Sequence, residues 1–508
     1  MTRRTRKPKG ETLQAPHKAP QAPDSLDQHE VLAPTALDSR RIAPPLLPPD
    51  IAPGTSAANA FLLVQAGFGS LCRYVPRVGW RLYVPEQGRW VTVPESDQLL
   101  HIASDLLQPM VTEYIARLPR GSKAQHDELH AWWKQVGNTT TLTYSLRFAS
   151  GLPDLILDAG AWNPDAHLLN VQNGVLNLRD GTLSAHSPAY LMTEQAQVTY
   201  QPGAHHRTFD DFLNTLRQQG TEDFLSRAAG RALSGRVEAE EFLLLLGDGG
   251  TGKGTFVSAL IAMLGSYAVA MPIQSLVLNP RGEGSNAANP FVMHTIGKRL
   301  VVANEVPEKS TLNAALVKEL TGRDLMAVRE VYSKAVDYRP QFALWIQSNF
   351  RLLMNTEDSG LKRRLRVVPF HHKPDLLREN YKSELQQPEA LSAMLNWALE
   401  GYRKWFADGE HYAPGDITVI EHATEAHWKA LTPFTSFAEE RLTPDHEAFL
   451  STKDIRGLAA EWLEEQGQDG ISSPSDKQIS RVLRKLGFQK RTKDGEVRGW
   501  RARSRADE

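Results

Sequence analysis

Between residues 240 and 370 short apolar runs alternate with helical periodicity. The runs are "EFLLLL", "RLVVAN", "FALWIQS" and "LRVVPF", and between them lie "KGTFVSALIAML" and "TLNAALVKEL". Continuous apolar strands separated by helices predict a mostly parallel sheet covered on both faces. Residues 55–205 read differently, as an α/β domain with polar and apolar positions alternating in hairpins. "WRLYVPEQGRWVTV" predicts a hairpin with Trp80 and Trp90 on its strands, packing in a core. "LLNVQNGVLNLRDGTL" predicts another, with turns at Asn173-Gly174 and Asp180-Gly181. Residues 206–235 predict two short amphipathic helices, with Phe209, Phe212, Leu213 and Leu216 on one face. Residues 376–445 are helical by pattern, with Trp397, Trp405 and Trp428 packing.

A last unit spans 446–508. Ser451 and Asp454 form a cap-like start for one helix. Ile479, Val482, Leu483 and Leu486 fall on one face of a second. Two strands follow around Asp494-Gly495. Helix, helix, hairpin is the pattern of a winged helix. Residues 475–505 hold eleven lysines or arginines against three acids, a local charge of +8. That charge suits a phosphate surface, with Arg481, Arg484 and Lys485 on the second helix as its contacts.

Composition narrows the class. The 508 residues carry 58 basic and 59 acidic side chains, a net charge of −1. The balance excludes neither a nucleic-acid partner nor its absence, because a local patch can bind. Residues 1–54 are proline-rich and are expected to be a disordered arm, with Arg3, Arg4, Arg6, Lys7 and Lys9 at its start. A single cysteine, Cys72, rules out an intrachain disulfide framework and a cysteine-rich zinc site. No apolar run approaches the roughly 20 residues of a membrane span, and no apolar segment follows the basic amino terminus. A cytoplasmic protein with no membrane partner is the expectation.

The chemistry starts at "GDGGTGKGT", residues Gly247, Asp248, Gly249, Gly250, Thr251, Gly252, Lys253, Gly254 and Thr255. Glycines let backbone N–H groups converge on a phosphate, and the following helix adds its positive end. Lys253 supplies a point charge to the outer phosphates. A buried strand before the loop and a helix after it are the context that this reading requires. ATP with Mg2+ is the expected ligand. Gly254 stands where a serine or threonine ordinarily meets the metal, so Thr255 is the nearest hydroxyl. The same "GKGT" ending occurs in nucleoside monophosphate kinases, and the loop alone leaves a kinase and a motor both open. Three further features favour the motor. Glu305 ends the next apolar strand, where a carboxylate can hold magnesium or polarise water. It follows Asn304, and Asp324 could share its duty. Asn349 ends the third strand, where an amide can hold a water and a γ-phosphate oxygen. Arg363 and Arg364 precede the fourth, and an arginine supplied across a subunit interface is worth about 10³–10⁵ in rate.

This order of motifs resembles the superfamily 3 helicases, in the phage/plasmid and poxvirus primase–helicase branch. The matching stretches are "GDGGTGKGTFVSAL", "GKRLVVANEV", "LNAALVKELTGRDLMAVREVYSKAVDYRPQFALWIQSNF" and "GLKRRLRVVPF". The resemblance covers roughly 150–375 well. It implies a P-loop ATPase core over 236–375, preceded by the α/β domain and followed by the winged-helix-like domain. It implies a ring, usually a hexamer, moving 3′ to 5′ on single-stranded DNA at replication forks. Lys253 and Thr255 would be the phosphate-loop pair, Glu305 the second acidic motif, Asn349 the sensor, and Arg364 the trans-acting finger ahead of Arg363. A hairpin with Arg329, Tyr332 and Lys334 near its tip would enter the channel, joining a cation to a stacking aromatic. Lys318 matches a family lysine. The departures are Gly254 and Asn304. Some relatives also prime synthesis, which needs clustered carboxylates to hold two metals; residues 55–205 offer Asp154 and Asp158, in a stretch that continues as "DAGAWNPDAHLLN" and resembles the linker domain ahead of the motor instead. The chain is expected to lack priming and to work with a separate primase or polymerase. A bifunctional primase–helicase and an ATP-assembled origin-binding protein are the alternatives.

Overall fold

The computed structural model describes residues 45–504 apart from 94–96, 120, 238, 279–289, 305, 309, 329–335, 357, 374–379, 466–473 and 494–496. Most of the expected arm, Glu305, the hairpin-tip residues Arg329, Tyr332 and Lys334, and Asp494-Gly495 lie outside the described residues.

The chain opens with α1 (Ser56–Gln65), whose first turn is capped by the Thr55 hydroxyl accepting from the Ala58 N–H at 3.1 Å. Strands β1 (Cys72–Val75), β2 (Gly79–Val84) and β3 (Arg89–Val93) form an antiparallel meander. Trp80 and Trp90 are both buried in it. Helices α2 (Asp97–Arg117), α3 (Lys123–Gln135) and α4 (Thr139–Ala149) follow, and α1 packs on α2 and α4. A second meander comprises β4 (Leu168–Val171), β5 (Gly174–Asn177) and β6 (Leu183–Ser184). Its apolar residues, Leu169, Val171 and Leu176, share one core with α5 (Arg207–Gln218) and α6 (Glu222–Ser234). No packing break therefore falls at 205/206. Three short strands cannot bury their own face, so they borrow the neighbouring helices.

Next comes a five-stranded, wholly parallel sheet, of order β13-β7-β12-β9-β8. Its strands are β7 (Phe242–Leu246), β8 (Ala268–Pro272), β9 (Leu300–Asn304), β12 (Ala343–Ser348) and β13 (Leu365–Pro369). The connections hold α7 (Lys253–Leu264), α8 (Ala314–Leu320), the antiparallel hairpin β10 (Met326–Val328) and β11 (Val336–Tyr338), and α9 (Ser359–Arg364). Helices α10 (Pro388–Ala407) and α11 (Pro414–Leu431) close the unit. The strands are apolar throughout because both faces are covered. Leu243, Leu245, Val302 and Trp345 face the core built by α5, α6, α7 and α10. Phe242, Leu244, Ala303 and Ile346 face the opposite core, with α8 and α11. Helices α6 and α10 cross backbone to backbone. A Cβ at Gly230 would lie 2.2 Å from the Tyr402 nitrogen, and one at Gly401 would lie 2.1 Å from the Ser226 oxygen.

The last unit holds α12 (Pro433–Arg441), β14 (Leu442–Pro444), β15 (Leu450–Ser451), α13 (Thr452–Glu465), α14 (Asp476–Lys485), β16 (Lys490–Lys493), β17 (Val497–Trp500) and β18 (Ala502–Ser504). Strands β15, β17 and β16 form one sheet in that order, and β14 pairs with β18. Ser451 and Asp454 cap α13 reciprocally, at 3.1 and 3.0 Å. Ser475 and Gln478 do the same for α14. Helix, helix, hairpin is the element order expected of a winged helix. Phe437 and Leu442 share its core with Trp462, Leu483 and Trp500. The packed unit thus begins with α12 rather than at 446, because β14 finds its partner only at the far end of the chain.

No helix among the described residues is long and apolar enough to cross a membrane.

Candidate nucleotide-binding site

The glycine loop joins the end of β7 to the start of α7, at the carboxyl edge of the parallel sheet. That edge is where open α/β sheets bind ligands. Gly250 and Gly252 sit at φ +81° and +86°, a region that favours glycine. Gly247 passes so close to the chain after β13 that a Cβ would lie 2.0 Å from the Phe370 oxygen. The loop's shape therefore depends on its glycines. Lys253 is the first residue of α7, and its side chain folds back over the loop. Its Nζ donates to the Gly247 carbonyl at 2.6 Å, the Asp248 carbonyl at 2.8 Å and the Thr251 hydroxyl at 3.2 Å. Burial pushes its pKa down, and the nearby Asp248 charge works against that. A desolvated cation gains more from an incoming anion than a hydrated one does. Gly252 gives α7 no side-chain cap, so the first-turn N–H groups lack a capping side chain.

The loop walls a cavity of about 490 Å³, together with Thr255, Asn304, Gln347, Asn349 and Lys382. Three of these are amides at the carboxyl ends of neighbouring strands. Register pairs Ala303 with Ile346, which sets Asn304 beside Gln347. Both follow the alternation of Val302 and Trp345 and so face α7. Asn304 Oδ1 and Gln347 Oε1 are buried, and neither has a hydrogen-bond partner. A Cβ at Gly254 would lie 3.5 Å from Gln347 Nε2. Thus Lys253, Thr255 and Asn349 converge, while Asp324 is exposed and does not line this cavity. Gln347 and Lys382 escaped the sequence reading. The signal for Gln347 was a polar residue inside an otherwise buried apolar strand, where an unsatisfied amide is costly. Nothing local marked Lys382, which arrives on the short helix Tyr381–Glu384.

The arginines lie at the other end of the sheet. Leu365 pairs with Phe242, so Arg363 and Arg364 stand at the entry to β7, not at its exit. A strand of this length spans about 16 Å, which places them beyond reach of their own loop. Arg364 is buried. It donates to Glu240 Oε2 at 2.7 Å and to the Gly360 carbonyl at 3.2 Å. Arg363 reaches the same carboxylate oxygen at 3.2 Å, with 68% of its side chain exposed. Glu241 next door binds Arg231, Arg366 and the Tyr412 hydroxyl. The "EE" before β7 thus holds the arginines around the start of β13. Lys318 joins Asp358, the α9 cap, at 2.8 Å. In the last unit, Ile479 and Leu483 of α14 are buried, while Arg481, Arg484 and Lys485 are exposed.

Residues 66–218 match the family model described as "D5 N terminal like". Residues 245–364 match one described as "Family of unknown function (DUF5906)". A protein named as a helicase in Acanthamoeba polyphaga mimivirus is 24% identical over 336 residues, covering 61% of this chain and 34% of that protein. One named as a helicase in Frog virus 3 is 26% identical over 299 residues, covering 56% and 30%. One named as a primase in African swine fever virus is 24% identical over 326 residues, covering 58% and 33%. The chain spans about a third of the length of these curated relatives. The solved apo structure of the NrS-1 C-terminal region covers 86% of this chain and 97% of its own at 12% identity, with a TM-score of 0.43.

Proposed function

The chain belongs to the D5-like primase–helicase family, and from that premise we propose that it hydrolyses ATP to move along single-stranded DNA. The observation that carries the reading is the convergence of Lys253, Thr255, Asn304, Gln347 and Asn349 on one cavity at the carboxyl edge of the sheet. The donor set fits a nucleoside triphosphate with magnesium. Glycine-shaped backbone and Lys253 meet the phosphates, and the Thr255 hydroxyl and Glu305 are the candidate metal ligands. Magnesium would supply charge neutralisation on the phosphate oxygens. Asn349 would orient the attacking water.

In this reading the working form is a ring. Arg363 and Arg364 stand too far from their own loop to serve it, so they act on the loop of a neighbouring subunit. Arg329, Tyr332 and Lys334 track the strand inside the ring. Arg481, Arg484 and Lys485 bind DNA outside it. A separate primase or polymerase works at the same fork.

The test is DNA-stimulated ATP hydrolysis. Lys253→Ala and the double change Arg363→Ala/Arg364→Ala each reduce it to background. Mixing the two inactive proteins restores part of it, because some interfaces then join an intact loop to intact arginines. Hydrolysis that survives Lys253→Ala refutes the loop assignment. Inactive mixtures refute the trans assignment.

A further inference from the structure

Gly254 leaves the first turn of α7 without the hydroxyl that ordinarily meets a nucleotide's metal. The space beside it is taken by an amide. A Cβ at Gly254 would already touch Gln347 Nε2, at 3.5 Å, so a longer side chain would compete with Gln347 for that space. Gln347 in turn lies beside Asn304 across the β12–β9 ladder. Each presents a carbonyl oxygen that is buried and has no donor. A fold rarely leaves two such acceptors unpaired on one wall, because each forgoes its hydrogen bonds to water. Both residues line the same cavity as Lys253 and Thr255. What would satisfy them is a ligand that brings donors. Magnesium binds with several waters retained, and those waters donate.

We propose that Gln347 and Asn304 form an outer-sphere seat for the nucleotide's divalent cation, replacing the hydroxyl missing at Gly254. Their amide oxygens accept from the metal's water ligands. Such supporting contacts typically change metal affinity 10–100-fold. The proposal rests on the loop binding a nucleoside triphosphate and adds how the metal is held. Gln347 is a positioning residue here, since it acts through water.

The experiment measures the affinity of a fluorescent ATP analogue for the full chain, in magnesium and in EDTA. The ratio of the two affinities isolates the metal. Gln347→Leu, a close match in size on an apolar strand, is expected to reduce that ratio about tenfold. The double variant Gly254→Ser/Gln347→Ala is expected to recover it, because the serine hydroxyl now fits and reaches the metal directly. Binding in EDTA reports that each variant is folded. An unchanged ratio in Gln347→Leu overturns the proposal while leaving the loop assignment intact. Equal weakening with and without magnesium also overturns it, because the amide would then touch the nucleotide. Failure of the wild-type chain to bind the analogue in either condition refutes the nucleotide reading itself.

Discussion

Glu241 precedes β7 by one residue and is a buried carboxylate of the unit that holds the parallel sheet. Its side chain is 1% exposed, and that of Arg231 on α6 is 3% exposed. The carboxylate also accepts from the Tyr412 hydroxyl at 2.6 Å. Arg366 Nε lies 3.2 Å away without hydrogen-bond alignment, on a side chain 29% exposed. Glu241→Gln keeps the volume and one acceptor but removes the charge. Two costs follow, of unequal size. Arg366 keeps contact with water, so its loss is about 1 kcal/mol at most. Arg231 stays buried and loses the Glu241 charge from among its contacts, and breaking a buried pair on one side costs up to about 3–5 kcal/mol. The Arg231 term decides the outcome. At roughly 2–4 °C per kcal/mol for a unit of this size, a loss of about 3 kcal/mol lowers the transition of the unit that holds the parallel sheet by about 6 °C or more. Thermal scans of the full chain measure it. Hydrogen exchange at the β7 amides is the second readout, since a multidomain chain need not melt in one step. Replacing both partners, Arg231→Met with Glu241→Leu, returns part of the loss, because the buried Arg231–Glu241 pair is then removed from both sides. A shift below about 2 °C with unchanged β7 exchange in Glu241→Gln would refute this reasoning.

Three other outcomes are expected. Gly230→Ala forces its Cβ to within 2.2 Å of backbone on α10, so α6 and α10 must part, at a cost of about 1–3 kcal/mol or more. Gly249→Ala meets open space and leaves thermal stability unchanged, so equal melting of these two variants contradicts the packing account. His427 on α11 is held neutral, because burial first and the Arg351 charge second push its pKa down to about 4. The folded state thus resists a proton that the unfolded state accepts near pH 6.5. The stability from this group is complete above about pH 6.5 and falls by about 3 kcal/mol as pH drops toward 4. A pH–stability profile of His427→Leu lacks that slope, and identical profiles would count against it. Arg484→Ala and Lys485→Ala each weaken DNA binding across all sequences and lower the salt slope by about one, read by anisotropy at several salt concentrations. Loss confined to one sequence would point to base contact instead.

Some of this protein is written in short stretches of chain. The glycines of the loop after β7, the apolar strands on either side and the reciprocal caps at Ser451 and Ser475 each act within a few residues. Composition and periodicity therefore determined them, and the ordered motifs identified the family. What only the tertiary structure decided concerns neighbours across long gaps. Sheet order placed Gln347 beside Asn304, although 42 residues separate them in the chain. It moved Arg363 and Arg364 to the far end of β7 from the loop they follow. It joined β14 to β18, and so carried α12 into the last unit. A local pattern reports which face of an element is apolar, because that depends on its own repeat. Which element covers that face depends on the pairing and packing of distant segments, whose cost and reward appear only when the whole chain closes.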